Sequence, residues 1–257
     1  MSNWDFGTFF TGVKTDAVSG VNNFIDAFYL NFIKDARWKY LTDGLWVTLR
    51  VTFFAVLIGI VLGFLVAIIR STHDKVGRIS PFVKGTLNVL NFVCNVYLTI
   101  IRGTPVVVQL LIIYFVIFGA VRIDKVIVAI LAFGINSGAY VAEIVRGGIM
   151  SIDQGQFEAG RSLGFNYAQT MWYIIIPQTL KNVLPALGNE FIVLLKETSV
   201  AGYIALADLT KGGDIIRSQT FSAYMPLIAV ALIYLVMVVI LSNLQKLLER
   251  RMRSIDK

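Results

Sequence analysis

Groups that carry chemistry are scarce in this chain. There is one cysteine, Cys94, which excludes an internal disulfide and any cysteine-based zinc cluster; it reads as a small packing residue in a helix. The lone histidine, His73, sits in a short basic loop (Arg70, His73, Lys75, Arg78) with no second ligand-type residue at a metal spacing, so a solvated residue is expected there. A Ser-His-Asp arrangement would have to recruit that same histidine, and no other catalytic constellation is present. No G-x-x-x-x-G-K-[ST] loop occurs, so the chain has no recognisable means of cradling ATP phosphates. The opening MSNWDFGTFF lacks the basic region and cleavage site of a signal peptide. No polar linker, repeat or low-complexity stretch divides the sequence, and a single domain is expected.

What is abundant is apolar. Hydrophobic residues make up 56% of the 257, aromatics 12%, and the mean hydropathy is +0.72, too high for an ordinary soluble domain of this size. The formal charge of +7 could suggest nucleic acid, but the basic residues lie mostly at the ends of apolar runs, where they meet lipid headgroups. A crossing helix needs about 20 apolar residues. Five runs meet that reading: Gly44 to Ile69, Pro81 to Gly119 with a break at Arg102-Gly103-Thr104-Pro105, Val126 to Arg146, Leu187 to Ala207, and Tyr224 to Leu244. Gly59 and Gly63 form a G-x-x-x-G pair that reads as close helix packing. Pro105 is expected in the first turn of the second half of the broken run. An interfacial or lead-in segment (1–43), a membrane domain (44–245) and a basic tail (246–257) follow as divisions. Phe24, Phe28 and Phe32 recur every four residues in the first, and a helix on the membrane surface or one leading into the first span both fit.

Between the third and fourth runs lies the stretch that organises the rest, QFEAGRSLGFNYAQTMWYIIIPQTLKNVLP from Gln156 to Pro185. Asp153 with Gln156, and Asn166 with Gln169, each give a cap residue with an amide three later, and Gly164 supplies a turn between. Two short helices with an elbow are expected. Pro177 should end the second, and Pro185 should open another long helix.

Glu158, Ala159, Gly160, Gly164, Ile174, Ile176 and Pro177 stand in register with a loop motif, Glu-Ala-Ala, Gly, Ile-x-Leu-Pro, and here the chain resembles the membrane permease subunits of ATP-binding-cassette importers, within them the polar amino acid (histidine/glutamine/arginine-type) permeases. Gly160 replaces the second Ala and Ile176 the Leu. Arg102 to Pro105, Asn136 to Gly148 and Asn189 to Ser199 resemble the same subfamily, so the likeness runs from about Gly44 to the C-terminus. The resemblance implies an all-α, five-span type I permease fold (MetI-like) in a bacterial inner membrane. It also implies a coupling helix that docks on an ATPase subunit. In that role Glu158 would pair with a basic residue, Ala159 and Gly160 would let the helix settle into a groove, and Leu163 and Phe165 would anchor it. Implied partners are two ATPase subunits carrying the ATP and magnesium, a second permease, identical or similar, and an external solute-binding protein; this chain itself would hold no cofactor. With the loop cytoplasmic, the larger share of basic residues falls on its side, which puts the N-terminus outside and the tail inside.

Polar groups at membrane depth point to function by default. Arg102, Gln109, Asn136, Ser137 and Glu190 could line a path for a zwitterion, giving donors to a carboxylate and acceptors to an ammonium. Glu190, Lys196, Glu197 and Arg102 could equally pair among themselves and hold helices together. Glu143 and Arg146, three apart, read as a local pair. Two rival classes remain: a self-sufficient carrier in which Glu190 and Glu197 bind coupling ions, and a structural or signalling subunit with no transport role.

Overall fold

Small residues at four-residue spacing let two helix backbones touch, and in the computed structural model two such sets meet. The structure describes residues 22–75 and 81–255, all helices and connections, with no strand among them. Helix α2 (Trp38–Lys75) carries Gly59 and Gly63; α5 (Lys125–Met150) carries Gly134 and Gly138. A methyl group on Gly59 would lie 2.8 Å from Ser137 Oγ, one on Gly63 2.5 Å from Val141, one on Gly134 2.9 Å from Ile58, and one on Gly138 2.9 Å from Leu62 and from the Tyr97 hydroxyl. Partner numbers rise together along the two helices, so α2 and α5 run parallel. Parallel neighbours need the chain to return between them, and α3 (Pro81–Gly103) and α4 (Val106–Leu111, continued by a π-helical turn at Ile112–Ile117) do so. Tyr97 of α3 donates to Ile135 O at 2.6 Å, fixing the return helix to the same contact.

The α3–α4 connection is an elbow. The axes bend by 109° at Thr104–Pro105, with Pro105 as the extended N-cap of α4, one position before the first turn expected for it. A helix that stops inside a membrane leaves carbonyls without partners. The Gln109 amide turns back onto them, donating to Ile101 O at 2.7 Å and Thr104 O at 3.0 Å.

Among the described residues three helices can cross a membrane by length and composition, Trp38–Asp74, Lys125–Met150 and Tyr224–Arg251, and a fourth crossing exists if the bent pair counts as one. The fourth expected span behaves differently. It is α8 (Ile176–Glu197) with a 3-10 continuation, Thr198–Ile204, and it begins well before Leu187. Lys181, Asn182, Asn189, Glu190, Lys196 and Glu197 make it too polar to qualify. A helix that buries Val183, Leu187, Glu190 and Leu194 against protein needs less apolar surface than one bathed in lipid. Burial ranks the spans: 61% of the apolar window of α5 lies inside the protein and 11% of that of α10 (Tyr224–Ile255), so α5 is the axis and α10 the periphery.

Two proline expectations are corrected. Helix α7 (Tyr167–Thr170) passes through a π-helical turn, Met171–Ile175, straight into α8. Pro177 sits in the first turn of α8, where a missing N–H is tolerated, and Pro185 lies inside the helix. Its carbonyl accepts from Gln245 Nε2 of α10 at 2.9 Å, which ties the two helices together.

Residues 22–28 are helical and run through a π turn, Tyr29–Ile33, into a sharp corner at Asp35 and Ala36, both at positive φ. This helix (α1) leads into α2: Phe32 is buried with Leu41, Leu209, Ile216 and Val230. Between α5 and α8, α6 (Gln154–Ser162) and α7 form the loop, and α9 (Leu209–Thr220) precedes α10. Asp208 caps α9, accepting from Thr210 N at 3.2 Å and Lys211 N at 3.0 Å, and is 1% exposed beneath α2. Leu209 N donates to Thr48 Oγ1 at 3.1 Å, and Gly44 leaves the room for that approach. Burial raises the Asp208 carboxyl from its usual 3.8 to about 6, against the opposing pull of the Lys211 and Thr210 backbone N–H groups.

Replacing Gly138 by Leu is expected to abolish recovery of monodisperse protein, because overpacking costs about 1–3 kcal/mol or more and here even the first added carbon meets the Leu62 and Tyr97 side chains at 2.9 Å. Gly147→Ala, with open space at the added carbon, should leave the thermal midpoint unchanged. For Asp208 the native chain holds a proton that the unfolded chain releases between about pH 4 and 6. Stability should therefore fall as pH rises through that window, by on the order of 2–3 kcal/mol, and Asp208→Asn should flatten the dependence in thermal melts across it.

Candidate functional site

Three groups of polar residues stand out, and the first is the loop. Asp153 caps α6, accepting from Gly155 N at 2.6 Å, while the Gln156 side chain accepts from Gln178 of α8 at 3.3 Å instead of closing a box on Asp153. Gly164 adopts φ +81, the left-handed turn that favours glycine. Asn166 and Gln169 then form the full reciprocal box that opens α7. Phe157 packs against a core of Ile149, Ile152, Met171 and Ile175, and Asn182 Nδ2 reaches Ser151 Oγ at 3.2 Å. The first turn of a short helix is thus mounted on α8 and on the core it shares with α5, and Asn182 ties α8 to the end of α5 beside it.

Glu158, Ala159 and Leu163 point outward, Leu163 at 71% exposure, and Pro177 is also exposed. Gly160 does not join them. It is buried, and a methyl there would come within 2.6 Å of the Thr170 side chain, so its smallness serves the packing of α6 on α7 and not an outside groove. Phe165 is half-buried with its ring 6.1 Å from that of Tyr173. Trp172 and Tyr173, each 65% exposed, add aromatic surface that their run of apolar neighbours hid in the sequence.

The second group is the set expected to line a path, and it separates into pairs. Asn136 Nδ2 donates to Gln109 Oε1 at 3.0 Å, and Ser137 Oγ donates to Glu190 Oε1 at 2.9 Å. All four residues are buried. The first pair ties the elbow to α5, and the second ties α5 to α8. Glu190 is thus held by a hydroxyl, and Arg102 is elsewhere.

Arg102 belongs to the third group. Glu143 Oε1 receives Arg70 Nη1 at 2.7 Å and stands 3.5 Å from Arg102 Nη1. The expected local Glu143–Arg146 pair is therefore corrected: Arg146 Nη2 goes to Asp74 Oδ2 at 3.0 Å. Residues three apart on a helix can pair, but α2 and α3 bring guanidinium and carboxylate groups from outside that helix, and these win. His73 Nε2 lies 3.1 Å from Asn88 Oδ1, joining α2 to α3. Arg70, Asn95, Thr99, Arg102 and Glu143, with Leu98 and Gly103, line a cleft of about 400 Å³. Of these only Arg102 was singled out by the sequence as a path residue. Asn95 and Thr99 lie four apart on one face of α3, a spacing that could have marked them. Among the described residues no cluster of three His, Cys, Asp or Glu could hold a metal ion.

Comparison with known proteins matches this architecture. Residues 86–254 match the family model described as "binding-protein-dependent transport system inner membrane component". The arginine transport system permease protein ArtQ of Bacillus subtilis (strain 168) is 35% identical over 219 residues, 84% of this chain and 94% of that protein. The glutamine transport system permease protein GlnP of Escherichia coli (strain K12) is 38% identical over 216 residues, 83% and 93% of the two chains. Among solved structures, one described as an amino acid ABC transporter with histidines aligns at TM-score 0.72 and 43% identity, covering 86% of this chain and 98% of that one. The inward-facing MetNI methionine ABC transporter aligns at TM-score 0.69 and 21% identity over 84% of this chain and 97% of its own, a likeness of fold. These relatives are transport subunits and not enzymes. The helices long enough to cross a membrane, the mounted loop and the match over most of the chain converge on one conclusion: this protein belongs to the binding-protein-dependent inner membrane components, the multi-pass permease subunits of ABC importers.

Proposed function

We propose that the chain forms the translocation path of an ATP-driven importer for polar amino acids and takes its driving force from a separate ATPase through α6. The observation that carries this is the mounting of α6: an exposed Glu158, Ala159 and Leu163 face on a helix that is bonded to α8 through Gln156, packed through Phe157 on the core at Ile149, Ile152, Met171 and Ile175, and seated through Gly160 on Thr170. A rigidly held surface of mixed charge and apolar character suits a protein groove, and motion imposed on it passes into α5 and α8. ATP and magnesium belong on two ATPase subunits. A second permease, identical or similar, completes the path, and a solute-binding protein delivers the substrate from outside. The N-terminus lies outside and the tail in the cytoplasm. The names of the arginine and glutamine relatives support amino acids as the cargo.

Within the path, the buried Gln109–Asn136 and Ser137–Glu190 pairs set the spacing of α4, α5 and α8, and the open cleft at Arg102 and Glu143 receives the substrate.

Uptake of radiolabelled amino acids into liposomes holding the permease and its ATPase is expected to require ATP, and Glu158→Lys should abolish it while leaving the amount of folded permease unchanged. Transport by the chain alone on a sodium or proton gradient would overturn the proposal. Ser137→Ala strands the buried Glu190 carboxylate and should lower stability by about 1–3 kcal/mol, read as a drop in thermal midpoint. Glu190→Gln keeps an acceptor for Ser137 and should retain both the midpoint and transport.

A further inference from the structure

Residues 22–33 would reach about 18 Å as a helix, well short of the roughly 30 Å of hydrocarbon that a crossing requires, yet they are rich in large apolar side chains. Phe24, Phe28 and Phe32 lie four apart on one face of α1 with Ile25 beside them, and Asn23 and Asp26 lie on the opposite face. At one end of the apolar face Phe32 is buried on Leu41, Leu209, Ile216 and Val230, while Phe24, Ile25, Phe28 and Tyr29 are between 45% and 57% exposed. The chain does not run straight from this segment into α2. Asp35 and Ala36, both at positive φ, turn it off the helical path, and Arg37 braces the corner, donating from Nη2 to Asp35 Oδ2 at 2.9 Å and from Nη1 to Leu30 O. Two buried polar side chains, Asn31 and Arg37, then fasten the segment sideways onto α9: Thr220 Oγ1 donates to Asn31 Oδ1 at 2.9 Å, and Arg37 Nε donates to Gln219 Oε1 at 3.3 Å. What covers the exposed face follows from its neighbours. Phe32 meets α10 at Val230, beside Met225 and Ala229, and of the three long crossing helices α10 is the most open to lipid. At the same end of the molecule stand exposed Trp38, Tyr40 and Trp46 in the first turns of α2 and Tyr224 at the start of α10. Amphipathic rings gathered at one end of crossing helices mark the boundary between membrane and water. Lys34 and Lys39, both exposed, add cations there. The other end of α2 is the loop end, where the Tyr167 hydroxyl donates to Ser71 O at 3.4 Å.

We propose that α1 is an in-plane anchor whose partner is the lipid interface. The face made by Phe24, Ile25, Phe28 and Tyr29 is seated at the headgroup–acyl boundary of the leaflet remote from the α6 loop, the outer leaflet when that loop is cytoplasmic, and Asn23 and Asp26 face water. Side chains sunk about 5–10 Å into that boundary hold the segment. Asn31 and Arg37 pass the hold to the C-terminal end of α9, at the corner where Phe221, also at positive φ, turns the chain toward α10. The α9–α10 corner is thereby kept at a fixed depth. A protein seated on this face would have to displace lipid from the side of α10, and a water-facing α1 would leave four large apolar side chains bare. Neither cargo nor ATPase enters this arrangement, which would serve any multi-pass chain built this way.

The test is the depth of nitroxide labels on the full chain in nanodiscs of phosphatidylethanolamine and phosphatidylglycerol. In a Cys94→Ala or Cys94→Ser background, Ile25→Cys and Phe28→Cys place single labels on the apolar face, and Asn23→Cys and Asp26→Cys place them on the other. Collision with oxygen, which concentrates in hydrocarbon, should exceed collision with a water-soluble nickel chelate at positions 25 and 28. The order should reverse at 23 and 26, with the ratio differing several-fold between the two faces. Phe24→Asp should move the label at 28 toward water, whereas Phe24→Leu should leave its depth unchanged. With Asn31→Ala the label at 28 should keep its depth while one placed by Ser222→Cys gains mobility, because the anchor is then seated but no longer fastened to the corner; unchanged mobility at 222 strikes the fastening. Positions 25 and 28 as open to the nickel chelate as 23 and 26 overturn the anchor in favour of a solvated helix. Positions 25 and 28 shielded from both reagents overturn it in favour of a protein cover, a second copy or residues 1–21 of this chain.

Discussion

Lipid gives two helices no hydrophobic reason to meet, since hydrocarbon is as apolar as their side chains. Contact must then come from shape, and here it comes from backbone laid on backbone where α2 and α5 cross through Gly59, Gly63, Gly134 and Gly138. Everything else is referred to that contact. Tyr97 bonds to the α5 backbone beside it, so the return helix α3 is placed by it. Further along the same two helices, Arg70 and Asp74 face Glu143 and Arg146, so the ion pairs that wall the cleft exist only while the glycine contact keeps α2 and α5 in register. A slip of one turn between them would separate every pair.

The second organising constraint is that no polar atom can be left bare at membrane depth. The elbow after Arg102 breaks a helix and so exposes carbonyls. Gln109 answers by folding its amide back onto Ile101 and Thr104 and offering its own oxygen to Asn136. One side chain therefore both seals the break and positions α5. Ser137 and Glu190 do the corresponding work one residue further along α5, toward α8. Polar residues that look like a substrate path in the sequence are, in three dimensions, mostly bonded to one another between helices. The free polarity is gathered at Arg102 and Glu143, where two cations compete for one carboxylate.

How much of this could be read from the chain alone depends on range. Local rules worked where the partners are near in sequence: Asn166 with Gln169, Asp153 as a cap, Gly164 as the turn, and the small-residue spacing of Gly59 and Gly63. Proline rules failed at Pro177 and Pro185: at Pro177 a π turn precedes the proline and changes the local geometry, and at Pro185 packing of α8 against its neighbours holds the helix through the missing hydrogen bond. Pairing at Glu143 was illegible: the nearest cation in sequence, Arg146, loses to Arg70, 73 residues away. Gly160, an oddity in the loop motif, has its reason in Thr170, a residue on the next helix. The caps and the turn of the loop were legible from spacing, but not which of its residues face out.

The unbroken run from Tyr167 through the π turn and α8 to Ile204 can be viewed mechanically. At about 1.5 Å per residue it is a strut on the order of 55 Å long, reaching from the loop to the 3-10 turn that abuts the α9 cap at Asp208. Helices bend gently but shorten hardly at all, so a load applied at one end of such a strut arrives at the other as displacement and not as compression. The strut's two places of give are the π turn near the loop end, which sets the angle at which force enters, and Pro185 inside α8, where the ladder lacks one hydrogen bond.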